Sequence, residues 1–129
     1  MAKKQPQGNI LITLIVFMLI SSIVVSSAVA IIITNSTAAS KVEQGQMAYE
    51  AAESGLEEAI IQLLRNPDFS GTVSHVSTGL SEFSYTIGPI YPKTIDSYGS
   101  YHQFTRHLNT TATYNLQGSL IIGRWQEIY

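Results

Sequence analysis

The sequence predicts an α+β protein: a long N-terminal transmembrane and amphipathic helix packed on a small antiparallel β-sheet. Three observations carry this. Residues 9–40 contain no charged side chain. A helical period then continues to Asn66-Pro67. Beyond Asp68 the chain changes to short β-type runs punctuated by Gly, Pro and Asn. At 129 residues there is room for one modest domain plus an extension.

Residues 10–33 are apolar except for Thr13, Ser21, Ser22, Ser26 and Ser27. As a helix they reach roughly 36 Å, enough to cross a bilayer core of about 30 Å. Serine and threonine are tolerated there, because their hydroxyls bond back to the preceding turn. The rest of the chain is too small to wrap so long an apolar rod, which disfavours a soluble core helix. Lys3 and Lys4 precede the span with no acid near them and place the N-terminus in the cytoplasm.

The second helical segment, residues 34–66, repeats apolar or small residues at Val42, Gly45, Tyr49, Ala52, Leu56, Ala59, Ile60 and Leu63. Glu43, Glu50, Glu53, Glu57 and Glu58 fall on the opposite side, as a solvated face or a contact for basic groups on a neighbour. Val42, Tyr49, Ala52, Leu56, Ala59, Ile60 and Leu63 are the expected helix–sheet packing residues. Asn66-Pro67 ends the helix, since the residue before proline is pushed out of the α region. The TNST stretch at 34–37 and Gly45 are its weak points, glycine costing about 1 kcal/mol relative to alanine.

Within the sheet domain, residues 67–129, EFSYTI (82–87) alternates with Phe83, Tyr85 and Ile87 on one face. Residues 93–98 form a second strand ended by Gly99-Ser100. FTRHLNTTATY (104–114) is the longest, 115–118 a turn, and 120–128 the closing strand. Residues 68–80 read as a connection with at most a short strand near Val73.

Composition narrows the function. Beyond Gly8, five basic residues face nine acidic ones, a net of −4, so no nucleic-acid partner is expected. Without cysteine there are no disulfides, and stability must come from packing. His102 and His107, five apart, fall on opposite faces if on one strand, and His75 lies in a loop-like stretch, so no metal site is expected. No G-x-S-x-G elbow is present. The expectation is a protein that is not an enzyme, with no cofactor and no small-molecule substrate.

The N-terminus allows three fates. Ala28-Val29-Ala30 has the spacing of a signal-peptidase site, although the apolar run before it is long and three isoleucines follow. The span is otherwise an uncleaved anchor, or it is clipped after Gly8.

A short basic leader ending in Gly8, an uncharged apolar helix that becomes amphipathic, and a small sheet resemble the type IV pilin and pseudopilin family. The stretch QMAYEAAESGLEEAIIQL is similar to the A-x-x-A-E-x-G/A-L-E-x-A pattern of PilX-type minor pilins, and GRWQEIY resembles their final strand. The motif likeness covers residues 3–65. It implies a pilin-like fold with a leader at 1–8, cleavage between Gly8 and Asn9, and a membrane and polymerisation helix at 9–33 using Leu11, Thr13, Leu14, Phe17 and Met18. It further implies a prepilin peptidase, other pilin subunits, the pilus assembly platform and the bacterial inner membrane as partners, and a final place on the pilus at the cell surface. Two positions depart from the major pilins. Thr13 stands where they carry Glu, and Asn9 where they place Phe or Met. The resemblance thus implies a minor subunit of a type IV pilus or secretion pseudopilus. The alternative is an uncleaved single-pass anchor carrying an extracytoplasmic binding domain.

Overall fold

The computed structural model describes residues 7–128; Lys3 and Lys4 of the expected leader lie outside them. One helix, α1 (Gln7–Arg65), is followed by six strands: β1 (Gly71–Ser77), β2 (Glu82–Ile87), β3 (Lys93–Tyr101), β4 (Phe104–Tyr114), β5 (Leu120–Ile122) and β6 (Gln126–Ile128). The chain is thus an α+β fold, with the C-terminal part of its long helix packed on an antiparallel sheet. It divides into two compact units, Met1–Ser40 and Lys41–Tyr129.

Neither weak point interrupts the helix. Thr34 Oγ1 donates to Ala30 O at 2.8 Å and Thr37 Oγ1 to Thr34 O at 2.9 Å, so both threonine hydroxyls of the TNST stretch are satisfied by their own helix. Gly45 is helical and buried, and a Cβ there would meet Arg106 Nη2 at 3.2 Å. Its missing side chain makes room for Arg106.

The sheet is a meander in the order β1-β2-β3-β4-β5, with β6 also paired to β4. Alternation decides which face is buried. Phe83, Tyr85 and Ile87 of β2 meet Ile95, Ser97 and Gly99 of β3 and Leu108, Thr110 and Ala112 of β4 on the helix side. The helix contributes Ala48, Ala51, Ala52, Leu56, Ala59 and Leu63, each 3% exposed or less.

Three strand expectations need correction. β3 runs past Gly99-Ser100 to Tyr101, because Gly99 is a point of close approach to α1 and not a turn. Residues 120–128 form two short strands. Between them Gly123 N donates to Thr111 O at 2.7 Å and Thr110 Oγ1 donates to Gly123 O at 3.0 Å. Residues 71–77 are a full strand, broken by a bulge between Val73 and Val76 where His75 takes φ +59°. Both edges of the sheet are therefore interrupted, which blunts edge-to-edge pairing.

Candidate assembly surface and sheet face

In the Met1–Ser40 unit, Gly8 lies within the helical backbone and Asn9 is exposed. Leu11, Leu14, Phe17 and Met18 are 63%, 50%, 68% and 61% exposed. Seventeen large apolar side chains between Ile10 and Ile33 are exposed in this way. Covering each is worth about 1.5–3 kcal/mol relative to water, so the sum reaches tens of kcal/mol. That exceeds the net stability of a whole domain, about 5–15 kcal/mol. Something apolar must cover the segment, and it is long and apolar enough to cross a membrane. Thr13 Oγ1 donates to Asn9 O at 2.7 Å, so its hydroxyl asks nothing of the surroundings.

In the Lys41–Tyr129 unit, the helix meets the sheet along a seam of small residues. A Cβ on Gly99 would fall 2.1 Å from Ala52 N and 2.2 Å from Ala48 O. At this spacing Ser97 Oγ donates to Ala52 O at 2.7 Å, a buried hydrogen bond from sheet to helix backbone. Ala52, Leu56, Ala59 and Leu63 pack as expected, with Tyr49 and Ile60 half-buried at the margin. Val42 does not. It is 73% exposed and belongs to a shallow groove of about 330 Å³ with Gly45, Tyr49, Arg106 and Glu127. At about 100° per residue it lies roughly 80° from Ala52, and it precedes Gly45, the first buried position of the seam. Ala48, Ala51 and Gly55 are buried in its stead; small residues give little periodic signal, so spacing arguments pass over them. The acidic side is open, with Glu43, Glu50, Glu57 and Glu58 exposed and Glu53 half-buried.

The helix end and the segment after it are held by three long side chains, Tyr114 of β4, Lys93 of β3 and Tyr91 of the β2–β3 connection. Tyr114 Oη donates to Leu63 O at 2.6 Å, Tyr91 Oη donates to Pro67 O, and Lys93 Nζ donates to Phe69 O at 2.6 Å. The last carbonyls of a helix have no partner within it, so the contact to Leu63 O satisfies one of them. Tyr91 and Tyr114 pack edge to face at 6.0 Å and, with Pro67, Pro92, Thr113 and Gly118, line an apolar cleft of about 630 Å³.

Two tyrosines, Tyr85 in the core and the half-buried Tyr114 beside the helix end, have phenols raised above the ordinary range. Burial, then the charge of Glu58, pushes Tyr85 above the ordinary value of 10.0. Burial, then Tyr91 and Asp68, does the same for Tyr114. A raised phenol holds its proton in the folded chain after the unfolded chain has lost it. The stability it contributes is full below pH 10 and falls as pH rises through the folded value. Alkaline titration of the fold by near-UV circular dichroism is expected to show this loss, with a shallower decline in Tyr85→Phe and Tyr114→Phe. An identical alkaline slope in both variants would contradict it.

On the solvent side of the sheet, Asp96 Oδ1 accepts from His107 Nε2 at 2.9 Å and from Asn109 Nδ2 at 2.8 Å. The His107 ring stacks on Tyr98 at 4.1 Å and 14°. This cluster was not foreseen: its members are spread over two strands, and only the register pairing Asp96 with Asn109 and Tyr98 with His107 assembles it. His102 sits not on that strand but in the turn before it, at φ +53°. Among the described residues no three His, Cys, Asp or Glu side chains converge as a metal site.

No family model, no curated protein and no solved structure matches this chain.

Proposed function

We propose that the chain is a structural, pilin-like minor subunit, clipped after Gly8 and assembled through its apolar helix into a type IV pilus or related pseudopilus. The observation that carries this reading is the exposed, uncharged surface from Asn9 through Ile33. In lipid such a helix is covered by acyl chains. Once extracted, it is covered only by equivalent helices of other subunits. Leu11, Leu14, Phe17 and Met18 then exchange lipid for protein contact, and Ser21, Ser22, Ser26, Ala28 and Ala30 allow close helix approach. Removing Lys3 and Lys4 takes two charges from the helix end, where each costs a few kcal/mol at membrane depth.

Thr13 supports a minor role. A carboxylate at that depth is costly unless it meets a cation, such as the amino terminus of a neighbour. The Thr13 hydroxyl is satisfied by Asn9 O and makes no such demand.

Co-expression with a prepilin peptidase followed by N-terminal sequencing tests the reading. The mature protein is expected to begin at Asn9, and Gly8→Lys to accumulate unprocessed and stay out of filaments. A mature start at Ile31, or full retention of residues 1–8 with Gly8→Lys behaving like the parent, would overturn it in favour of a cleaved secretory signal or an uncleaved anchor.

A further inference from the structure

The outer face of the sheet carries a groove that neither the helix nor its assembly uses. It holds about 190 Å³ and lies across β1–β4. Tyr98 forms one wall, and His75 with Glu82, 3.8 Å apart, the other. Ser84, Ser100 and Thr105 also line it. We propose that this groove binds a neutral saccharide ring, with the sugar's C–H face on Tyr98 and its hydroxyls on Ser84, Ser100 and Glu82.

The ring of Tyr98 is held in a fixed orientation. Its cross-strand neighbours are Ser84 on β2 and His107 on β4. His107 covers one face at 4.1 Å and is itself anchored by Asp96 at 2.9 Å. The other face therefore looks toward Ser84 and into the groove, and Tyr98 stays 43% exposed. A preset aromatic face costs little conformational entropy when a ligand arrives.

The polar groups beside it are unspent. Among the described residues, the Ser84 and Thr105 hydroxyls have no hydrogen-bond partner in the protein, and Ser100 Oγ reaches Glu82 O only at 3.5 Å. Hydroxyls donate and accept, and a carboxylate accepts from two adjacent hydroxyls, which is the pattern a polyol presents. No lysine or arginine lines the groove, and Glu82 repels anions, so phosphates and acidic sugars are excluded. Of the lining residues only Tyr98 and Phe83 are apolar, and Phe83 is buried in the core, while the bulge in β1 disrupts the adjoining edge for strand addition.

The full chain in phosphatidylcholine nanodiscs, free of sugar-headed detergent, is titrated by NMR with methyl α-glucoside, methyl α-mannoside, methyl β-galactoside and N-acetylglucosamine, and with inorganic phosphate as the anion. At least one sugar is expected to shift the amides of Ser84, Tyr98 and Ser100 saturably. Tyr98→Ala is expected to weaken that binding about tenfold, the scale of one aromatic contact. Tyr98→Phe should retain it and Ser84→Ala should weaken it. Silence toward all four sugars, a response to phosphate in their place, or undiminished binding by both Tyr98→Ala and Ser84→Ala would overturn the assignment. Filament formation and Gly8 processing are separate readouts, so this site and the proposed assembly role fail independently.

Discussion

Gly99→Ala is expected to lower the stability of the sheet unit by about 3 kcal/mol or more, beyond the usual range for overpacking by one methyl, and Gly99→Val by more still. The reason is what the new atom meets. A Cβ at Gly99 would fall 2.1 Å from Ala52 N, 2.2 Å from Ala48 O and 2.8 Å from Ala51 C, all helix backbone. A flexible side chain can swing aside, but a helix backbone moves only as a unit. Retreat would stretch the Ser97 Oγ to Ala52 O bond and leave the buried Ser97 hydroxyl short of its partner. For a unit of this size each kcal/mol shifts the melting temperature by about 4–8 °C. Thermal unfolding of the full chain followed by near-UV circular dichroism should therefore show a fall of about 12 °C or more for Gly99→Ala. A variant melting with the parent would mean that helix and sheet are not in contact at this spacing.

The second large effect concerns Lys93, 1% exposed at the first position of β3. The alternation of the strand points it to the same side as Ile95, Ser97 and Gly99, where a lysine is not expected. It is tolerated because its ammonium donates to Phe69 O at 2.6 Å and lies 5.0 Å from the centre of the Tyr91 ring. Lys93→Met keeps the stem and loses both polar contacts. A charged hydrogen bond contributes about 1.5–3 kcal/mol and a cation–π contact about 0.5–2, partly offset by the desolvation of the ammonium. The net expected loss is about 2 kcal/mol, and Lys93→Ala, which adds a cavity, should lose about 3–4. Lys93→Glu should prevent folding, since it sets a carboxylate against a carbonyl. Urea unfolding midpoints rank the Met and Ala variants below the parent, and near-UV circular dichroism without denaturant reads the loss of fold in the Glu variant. A Met variant as stable as the parent would show that desolvating the ammonium cancels its contacts.

Much of the architecture was legible because it rests on strong periodic signals. The apolar and amphipathic halves of the helix, the bounds of β2 and β4, and the burial of Leu56 and Leu63 follow from runs of large apolar residues at steps of three and four, or of two. The sequence leaves open the continuity of the helix through residues 34–45. The errors fall where a residue's role comes from a distant partner. Gly99 looked like a strand end and is a contact point. Val42 looked like core and is exposed. His75 looked like a loop residue and sits in the bulge of an edge strand.

The sequence by itself determined that the chain carries an uncharged apolar helix needing apolar cover, an amphipathic continuation and an antiparallel sheet, because hydrophobic burial depends on composition and on periods of a few residues. Only the tertiary structure decided how closely the helix approaches the sheet and which polar side chains meet. The Gly99 seam, the anchoring of Lys93, Tyr91 and Tyr114 around the helix end, and the cluster of Asp96, His107, Asn109 and Tyr98 all depend on strand register and on a few ångströms of separation. Steric contact and hydrogen bonding are short-ranged in space but blind to distance along the chain, so no local pattern announces them.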